Sequence, residues 1–244
     1  MEKQVALITG AGSGIGQATA VRLSKMGINT VLNDISKKGL DETLHMVHKK
    51  GMKSFAAVGD ISSPDDVDMV VDMTISEFGH LDILVNNAGI IKDNWLWNMS
   101  EDMWDKVLDT NLKGAFLCSR AAVRHMGKQK WGRIVNISSI SYLGNYCQAN
   151  YSSSKAGLIG LTRTLALELA QFNITVNCVV PGLIDTPMIQ AMKQEAVVKR
   201  IPLRRFGRSE DVANLVAFLI SNEADYITGE TIAINGGLSL GIGL

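Results

Sequence analysis

Tyr151 and Lys155 stand four residues apart in the stretch NISSISYLGNYCQANYSSSK, which runs from Asn136 to Lys155. In a helix, that spacing puts both side chains on one face, one turn apart. A free tyrosine ionises near pH 10, too high for a base at neutral pH. A neighbouring ammonium stabilises the phenolate and lowers that value. Such a pair can give or take a proton at a carbonyl or carbinol oxygen. Spacing alone is weak evidence, because Tyr-x-x-x-Lys often occurs by chance. Of the other hydroxyls in the stretch, Ser141, Ser152, Ser153 and Ser154 read as loop or helix-face groups. Tyr142 and Tyr146 read as lining or cover rather than reacting groups.

A second chemistry-bearing stretch is TGAGSGIG, Thr9 to Gly16, directly after the apolar run VALIT. Its glycines at 10, 12, 14 and 16 fit G-x-x-x-G-x-G, whereas Ile15 breaks the G-x-G-x-x-G spacing. Glycines let the backbone turn tightly and approach a pyrophosphate, and a helix N-terminus offers free N–H groups and a partial positive charge. A plain tight turn would explain the glycines too. Asp34 ends the next apolar run, 18 residues beyond Gly16. A carboxylate there can accept from both adenosine ribose hydroxyls and repels a 2′-phosphate. No Arg or Lys in the glycine loop would neutralise that phosphate, so NAD is expected over NADP. Asp34 could equally cap the turn that follows.

These residues need elements to hold them. Short β-branched runs recur at 5–9, 29–33, 54–58, 82–86, 133–138, 174–180 and 230–235. Most lack strict alternation, as strands buried on both faces do. Helical patterns lie between them, as at 14–26 and 64–78, where Pro64 after two serines suits a first turn. This predicts an α/β fold: a Rossmann-type doubly wound sheet of about seven parallel strands with helices on both faces. With no linker or repeat, residues 1–244 are expected to form a single domain. The segment 185–203, DTPMIQAMKQEAVVKRIPL, breaks the alternation and is expected to be an inserted substrate lid.

The 244 residues carry 24 basic and 24 acidic side chains. Zero net charge argues against a nucleic-acid or polybasic membrane binder. Cys118, Cys147 and Cys178 are widely spaced, with no CxxC. Neither a disulfide framework nor a metal site is expected, and a reducing compartment fits. His45 and His48 read as a solvated helix face. With no signal-peptide layout and no apolar run long enough to span a bilayer, a soluble cytoplasmic protein is expected.

Over essentially its whole length the chain resembles the short-chain dehydrogenase/reductase family. TGAGSGIG matches the family's glycine motif, Asn86-Asn87-Ala88-Gly89 its NNAG motif, and Tyr151-Ser-Ser-Ser-Lys155 its catalytic motif. Asn111, in DTNLKGAF, matches its helical asparagine, and Pro181-Gly182 with Thr186 its nicotinamide-side segment. The resemblance implies that Tyr151 is the general acid/base and that Lys155 binds the nicotinamide ribose. It implies that Asn111 holds a water in a relay from Lys155. A serine at the end of the fifth strand would orient the substrate oxygen. Strand register points to Ser139 and back-counting from Tyr151 to Ser138, so both remain candidates. On the cofactor side the resemblance implies Gly10, Ser13, Gly14, Ile15 and Gly16 at the first turn. It adds Asp34 and Ile35 after the second strand, and Asp60 and Ile61 after the third. Asn87, Ala88 and Gly89 follow the fourth, and Pro181, Gly182, Ile184 and Thr186 the sixth.

Within the family the chain resembles the 3-oxoacyl carrier-protein and acetoacetyl-CoA reductases, through GNYCQANYSSSKAGLIGLTRTLALELA and YITGETIAINGGL. This implies a small carbonyl or alcohol substrate, which can be a CoA or acyl-carrier thioester. Asp34 departs from the NADPH habit of the biosynthetic enzymes. Phe172 stands where a carrier-docking arginine is common, although Lys130 could serve as one basic contact. An NAD-linked secondary or cyclic alcohol dehydrogenase, or a 3-hydroxyacyl-CoA dehydrogenase, working oxidatively is the alternative. A nucleotide sensor with a dead site is a third reading, and the intact Asn111, Tyr151 and Lys155 argue against it. Trp95 and Trp97 could shape a pocket, an interface or ordinary packing. Family habit, with the apolar faces of helices 102–126 and 149–171 and the last strand, implies a homotetramer.

Overall fold

Successive side chains of a strand face opposite ways, and here both faces are buried. Val5 and Leu7 join one apolar core with Val31, Leu84, Ile134 and Val176. Ala6 and Ile8 join the other with Leu32, Val85 and Val135. The computed structural model describes residues 3–48, 52–187, 189 and 195–241. The strands are β1 (Val5–Thr9), β2 (Asn29–Asp34), β3 (Ser54–Val58), β4 (Ile83–Asn86), β5 (Gly132–Ile137) and β6 (Ile174–Pro181). A short ribbon, β7 (Ile184–Asp185) with β8 (Gly207–Arg208), and the edge strand β9 (Thr231–Ile234) follow.

The main sheet has seven strands in the order β3-β2-β1-β4-β5-β6-β9, all parallel. The order reverses after β1, where the chain steps from β3 across to β4. In such sheets the crevice at that switch, beyond the carboxyl ends of the strands, is where ligands bind. Helices α1 (Gly14–Lys25), α2 (Lys37–His48) and α8 (Ser209–Leu219) cover one face, through Leu23, Leu40 and Val216. Helices α3 (Pro64–Phe78), α5 (Gly114–Gln129) and α6 (Ala149–Leu169) cover the other, through Val70, Leu117 and Leu169. Pro64 opens α3 as expected, after Ser63, whose hydroxyl accepts from the Asp66 N–H at 3.3 Å.

Three features depart from the sequence expectation. Helix 102–126 is not one α-helix: α4 (Glu101–Leu108) passes through a π-helical turn, Asp109–Lys113, into α5. The helix from Ala149 ends at Leu169 and tightens into a 3₁₀ turn over 170–172, because Asn173 takes a left-handed conformation (φ 57°). The third is the β7–β8 ribbon. It binds the start of the expected lid to the chain beyond it, pairing Asp185 with Arg208. Within 185–203, residues 188 and 190–194 lie outside the described residues, and the short helix α7 (Glu195–Lys199) precedes Ile201.

Helix α8 yields a stability prediction. The Asp211 carboxylate accepts from the Arg208 N–H at 2.9 Å, and Arg205 and Arg208 both reach it. That backbone hydrogen bond, aided by the two guanidinium groups, holds Asp211 down at about 2. A depressed carboxylate stabilises the fold above its ordinary range, and that stability drains away as pH falls from about 4 toward 2. Asp211→Asn should lower stability by about 1 kcal/mol at neutral pH and flatten the acid limb. Urea denaturation at pH 7 and pH 3 would test it; an equal difference between the two proteins at both pH values contradicts the prediction.

Candidate active site

Helix α6 turns Asn150, Tyr151, Ser154, Lys155, Leu158, Ile159 and Thr162 onto one buried face against the sheet. The four-residue spacing therefore does what the sequence implied, with Tyr151 and Lys155 both buried. The Lys155 ammonium donates to the Ile137 carbonyl at the end of β5, at 2.8 Å, and lies 5.5 Å from the centre of the Tyr151 ring. Burial pulls Lys155 down to about 8. Burial pushes Tyr151 up; a hydrogen bond with Ser139 opposes this and the charge of Asp93 adds to it. The expected depression of Tyr151 by Lys155 is thus not what dominates here: desolvation of the phenolate does.

The two serine candidates part at the end of β5. The Ser138 hydroxyl donates back to the Lys155 carbonyl at 2.7 Å, and the residue is 3% exposed. Ser139 caps the 3₁₀ turn Ile140–Leu143, accepts from the Ser141 N–H at 3.2 Å, and is the serine hydrogen-bonded to Tyr151. Asn111 sits in the π-helical turn and is 1% exposed. Its amide accepts from the Ile90 N–H (2.8 Å) and donates to the Ile90 carbonyl (3.1 Å) and the Ser154 hydroxyl (3.1 Å). The side chain thus locks the strand-end loop to α6 rather than facing the cavity. A Cβ on Gly89 would lie 3.2 Å from the Asn111 oxygen and 3.4 Å from the Lys155 nitrogen, so these groups meet around that glycine.

The first turn is built by close approach. Gly10 has φ 64°, and a Cβ there would stand 2.7 Å from the Ala88 Cα. A Cβ on Gly16 would stand 2.1 Å from the Gly10 carbonyl oxygen. Asn87 ties the loop down, donating to the Thr9 and Gly10 carbonyls at 2.9 and 3.1 Å. Thr9 in turn accepts from the Asn87 and Ala88 N–H groups, each at 3.1 Å. Helix α1 starts behind Ser13 with no side-chain cap and no acidic residue in its first turn. Its leading N–H groups are of the kind that bind a phosphate.

One cavity of about 660 Å³ runs along these groups. Gly10, Ser13, Gly14 and Ile15 line it at one end, with Asp34, Ile35, Asp60 and Ile61. Asn87, Ala88, Gly89, Ser138, Ser139, Tyr151 and Lys155 line its middle. Pro181, Gly182, Ile184 and Thr186 close the side toward the ribbon. Gly16 and Asn111 act from behind the wall, by packing and by hydrogen bonding. Asp34 uses one oxygen on the Gly12 N–H (3.0 Å) and the other on the Ser36 N–H (2.9 Å), so it caps the turn as well as lining the cavity. Its oxygens keep lone pairs for further donors. Ile35, 71% exposed beside it, offers an apolar face to a flat ring. The cradle, the carboxylate and the apolar neighbour fit an adenine dinucleotide.

Sequence reasoning missed Gln148 on this wall and the exposed Asp93 that accepts from it. Gln148 lies three residues before Tyr151, a spacing that could have signalled it. Asp93 comes from 55 residues away and carried no such signal. Among the described residues no cluster of three or more metal-ligating side chains occurs.

A family model described as Enoyl-(Acyl carrier protein) reductase matches residues 10–239. The 3-oxoacyl-[acyl-carrier-protein] reductase FabG of Staphylococcus epidermidis is 46% identical over 238 residues, 96% of this chain and 98% of that protein. The chain belongs to the short-chain dehydrogenase/reductase family. A second member of the family, the (2S)-[(R)-hydroxy(phenyl)methyl]succinyl-CoA dehydrogenase subunit BbsD of Thauera aromatica, is 43% identical over 98% of each chain. The crystal structure of levodione reductase superposes with a TM-score of 0.95, at 35% identity, covering 99% of this chain and 100% of that one. As a member of this family the chain is an oxidoreductase acting between carbonyl and CH–OH groups with a nicotinamide cofactor. Among the described residues no helix is long and apolar enough to cross a membrane.

Proposed function

We propose that the protein is an NAD(H)-dependent reductase of 3-oxoacyl thioesters. The observation that carries the reading is the meeting of Ser139, Tyr151 and Lys155 in one cavity with the uncapped start of α1 and Asp34. A bound nicotinamide dinucleotide supplies the hydride. Gly10, Ser13, Gly14 and Ile15 would hold its pyrophosphate, and Asp34 its adenosine ribose, where a 2′-phosphate would meet a carboxylate. Ile35, Asp60 and Ile61 would flank the adenine. Asn87, Ala88, Gly89, Pro181, Gly182, Ile184 and Thr186 would flank the rest.

Ser139 and Tyr151 orient the substrate carbonyl oxygen, and Tyr151 donates its proton there as the carbonyl becomes an alcohol. In the reverse direction the phenolate takes that proton back. Lys155, fixed on the Ile137 carbonyl, supplies positive charge beside the phenolate and a donor for the nicotinamide ribose. Asn111 positions Ile90 and Ser154 around this centre, and Ser138 braces α6 against β5. The segment 185–203 is proposed as a lid, since Thr186, Pro187 and Ile189 line the cavity. A homotetramer is supported by apolar side chains left exposed on the helices, such as Phe116 on α5 and Leu167 on α6.

The names of the carrier-protein relatives support a 3-oxoacyl thioester. The name of the Thauera relative, a CoA dehydrogenase, favours as second reading a 3-hydroxyacyl-CoA dehydrogenase working oxidatively. Steady-state assays with acetoacetyl-CoA should give efficient turnover with NADH and poor turnover with NADPH. A preference for NADPH contradicts the reading of Asp34. No reduction by either, together with NAD-linked oxidation of 3-hydroxybutyryl-CoA or a secondary alcohol, moves the assignment to the second reading. Crotonyl-CoA, offered because the matching family model is described by enoyl reduction, should not be consumed.

A further inference from the structure

Two loops meet at the cavity wall beside Tyr151. One follows β4 and carries Lys92, Asp93, Asn94, Trp95 and Trp97. The other precedes α6 and carries Asn145, Tyr146, Cys147 and Gln148. The Gln148 amide nitrogen donates to both Asp93 oxygens, at 3.0 and 3.2 Å, and its oxygen accepts from the Asn145 amide at 2.9 Å. Both ends of the amide are therefore fixed, in a side chain that is buried and lines the cavity with Tyr151. The Asn94 N–H donates to the Cys147 carbonyl at 2.8 Å, and the Asn150 amide donates to the Lys92 carbonyl at 3.0 Å. Cys147 adopts φ 62°, a conformation that is strained for a residue with a Cβ. Outside the wall, Trp95 stacks on Trp97 (centroids 5.0 Å, 9° between planes) and meets Tyr146 edge-on at 6.4 Å. Aromatic pairs, backbone bonds and a strained turn all hold Asp93 and Gln148 together.

We propose that Asp93 is a positioning residue for the reaction: it clasps the Gln148 amide into the cavity wall and holds a negative charge against the proton-transfer site. The proposal rests on Tyr151 as the acid/base. Desolvation raises Asp93 and its hydrogen bond from Gln148 lowers it; no cation contributes. Its charge in turn pushes Tyr151 up. The other groups around Tyr151 are Ser139 at the end of β5 and Lys155 on α6, with Cys178 of β6 beside Lys155. Lys106 and Asp109 line the same cavity from the α4 side, Lys106 being paired with Asp102. Of the charges acting on Tyr151, Asp93 is the one that opposes loss of its proton. A tyrosine kept protonated is a proton donor, which suits carbonyl reduction over alcohol oxidation.

The test is Asp93→Asn, which removes the charge and keeps an oxygen and an amide of similar shape. Tyr151 ionisation is read by phenolate absorbance after a rapid pH jump, as the difference between each protein and its Tyr151→Phe counterpart. This readout needs neither substrate nor cofactor, so it stands even if the proposed substrate is wrong. In Asp93→Asn the ionisation should move to lower pH by about half a unit or more, and Asp93→Glu should restore it. The acid limb of alcohol oxidation should shift the same way, extending oxidation to lower pH. An unmoved titration overturns the electrostatic role. Gln148→Ala, which leaves the charge in place, should raise KM several-fold with little change in the Tyr151 titration; an unchanged KM overturns the clasp.

Discussion

Tyr151→Phe is expected to lose about a hundred- to ten-thousandfold in turnover, in both directions, with cofactor binding retained. That range is what positioned acid–base catalysis contributes. The substitution removes one hydroxyl from a buried ring and leaves its packing against the sheet intact. The hydroxyl's partner, Ser139, keeps its hydrogen bond from the Ser141 N–H. Lys155 keeps the Ile137 carbonyl. The fold and the glycine cradle therefore have no reason to change. Paired measurements of kcat and of NADH binding by fluorescence separate chemistry from affinity. A variant within a few-fold of wild type in kcat would remove Tyr151 from its role; equal losses in kcat and affinity would make it structural.

Gly16→Ala should damage the cofactor end as heavily. Its Cβ would fall 2.1 Å from the Gly10 carbonyl oxygen and 2.6 Å from the Asn87 amide nitrogen. Neither neighbour can step aside alone, because the Asn87 amide is bonded to that carbonyl and to Thr9. The loop must open, and Gly10 cannot follow easily because it is packed directly against Ala88 and Asn87. Overpacking of this kind costs about 1–3 kcal/mol, and misplacing the first-turn N–H groups should weaken NADH binding by about tenfold or more. Gly127→Ala is the control: it lies in α5 with nothing within 4 Å of its Cβ position, and helical glycine is disfavoured against alanine. Thermal unfolding and fluorescence titration of both variants decide the matter. Unchanged affinity in Gly16→Ala would mean that the cradle tolerates a wider loop than its geometry indicates.

Much of this site was legible in the chain. VALIT before TGAGSGIG placed a strand, a tight turn and a helix start in the right order, because β-branched runs and glycines act locally. Seven apolar runs gave seven parallel strands, because strands covered on both faces need no polar alternation. Tyr151 and Lys155 were readable as a pair since helical spacing alone brings them together. What the sequence left open was decided by groups distant along the chain. Ser138 and Ser139 are adjacent, and only the pleat at the end of β5 turns one toward the Lys155 carbonyl and the other toward Tyr151. The Asn111 amide faces Ile90 and Ser154 because of the π-helical turn, which no residue pattern announced. Trp95 and Trp97, open between pocket, interface and packing, stack on each other at the surface, with Trp97 75% exposed. Asp93 reaches Gln148 across 55 residues, and its effect on Tyr151 depends on burial, which is a property of the assembled fold. Local spacing fixes which groups can react; long-range packing sets their charge, their orientation and the direction in which the proton is held.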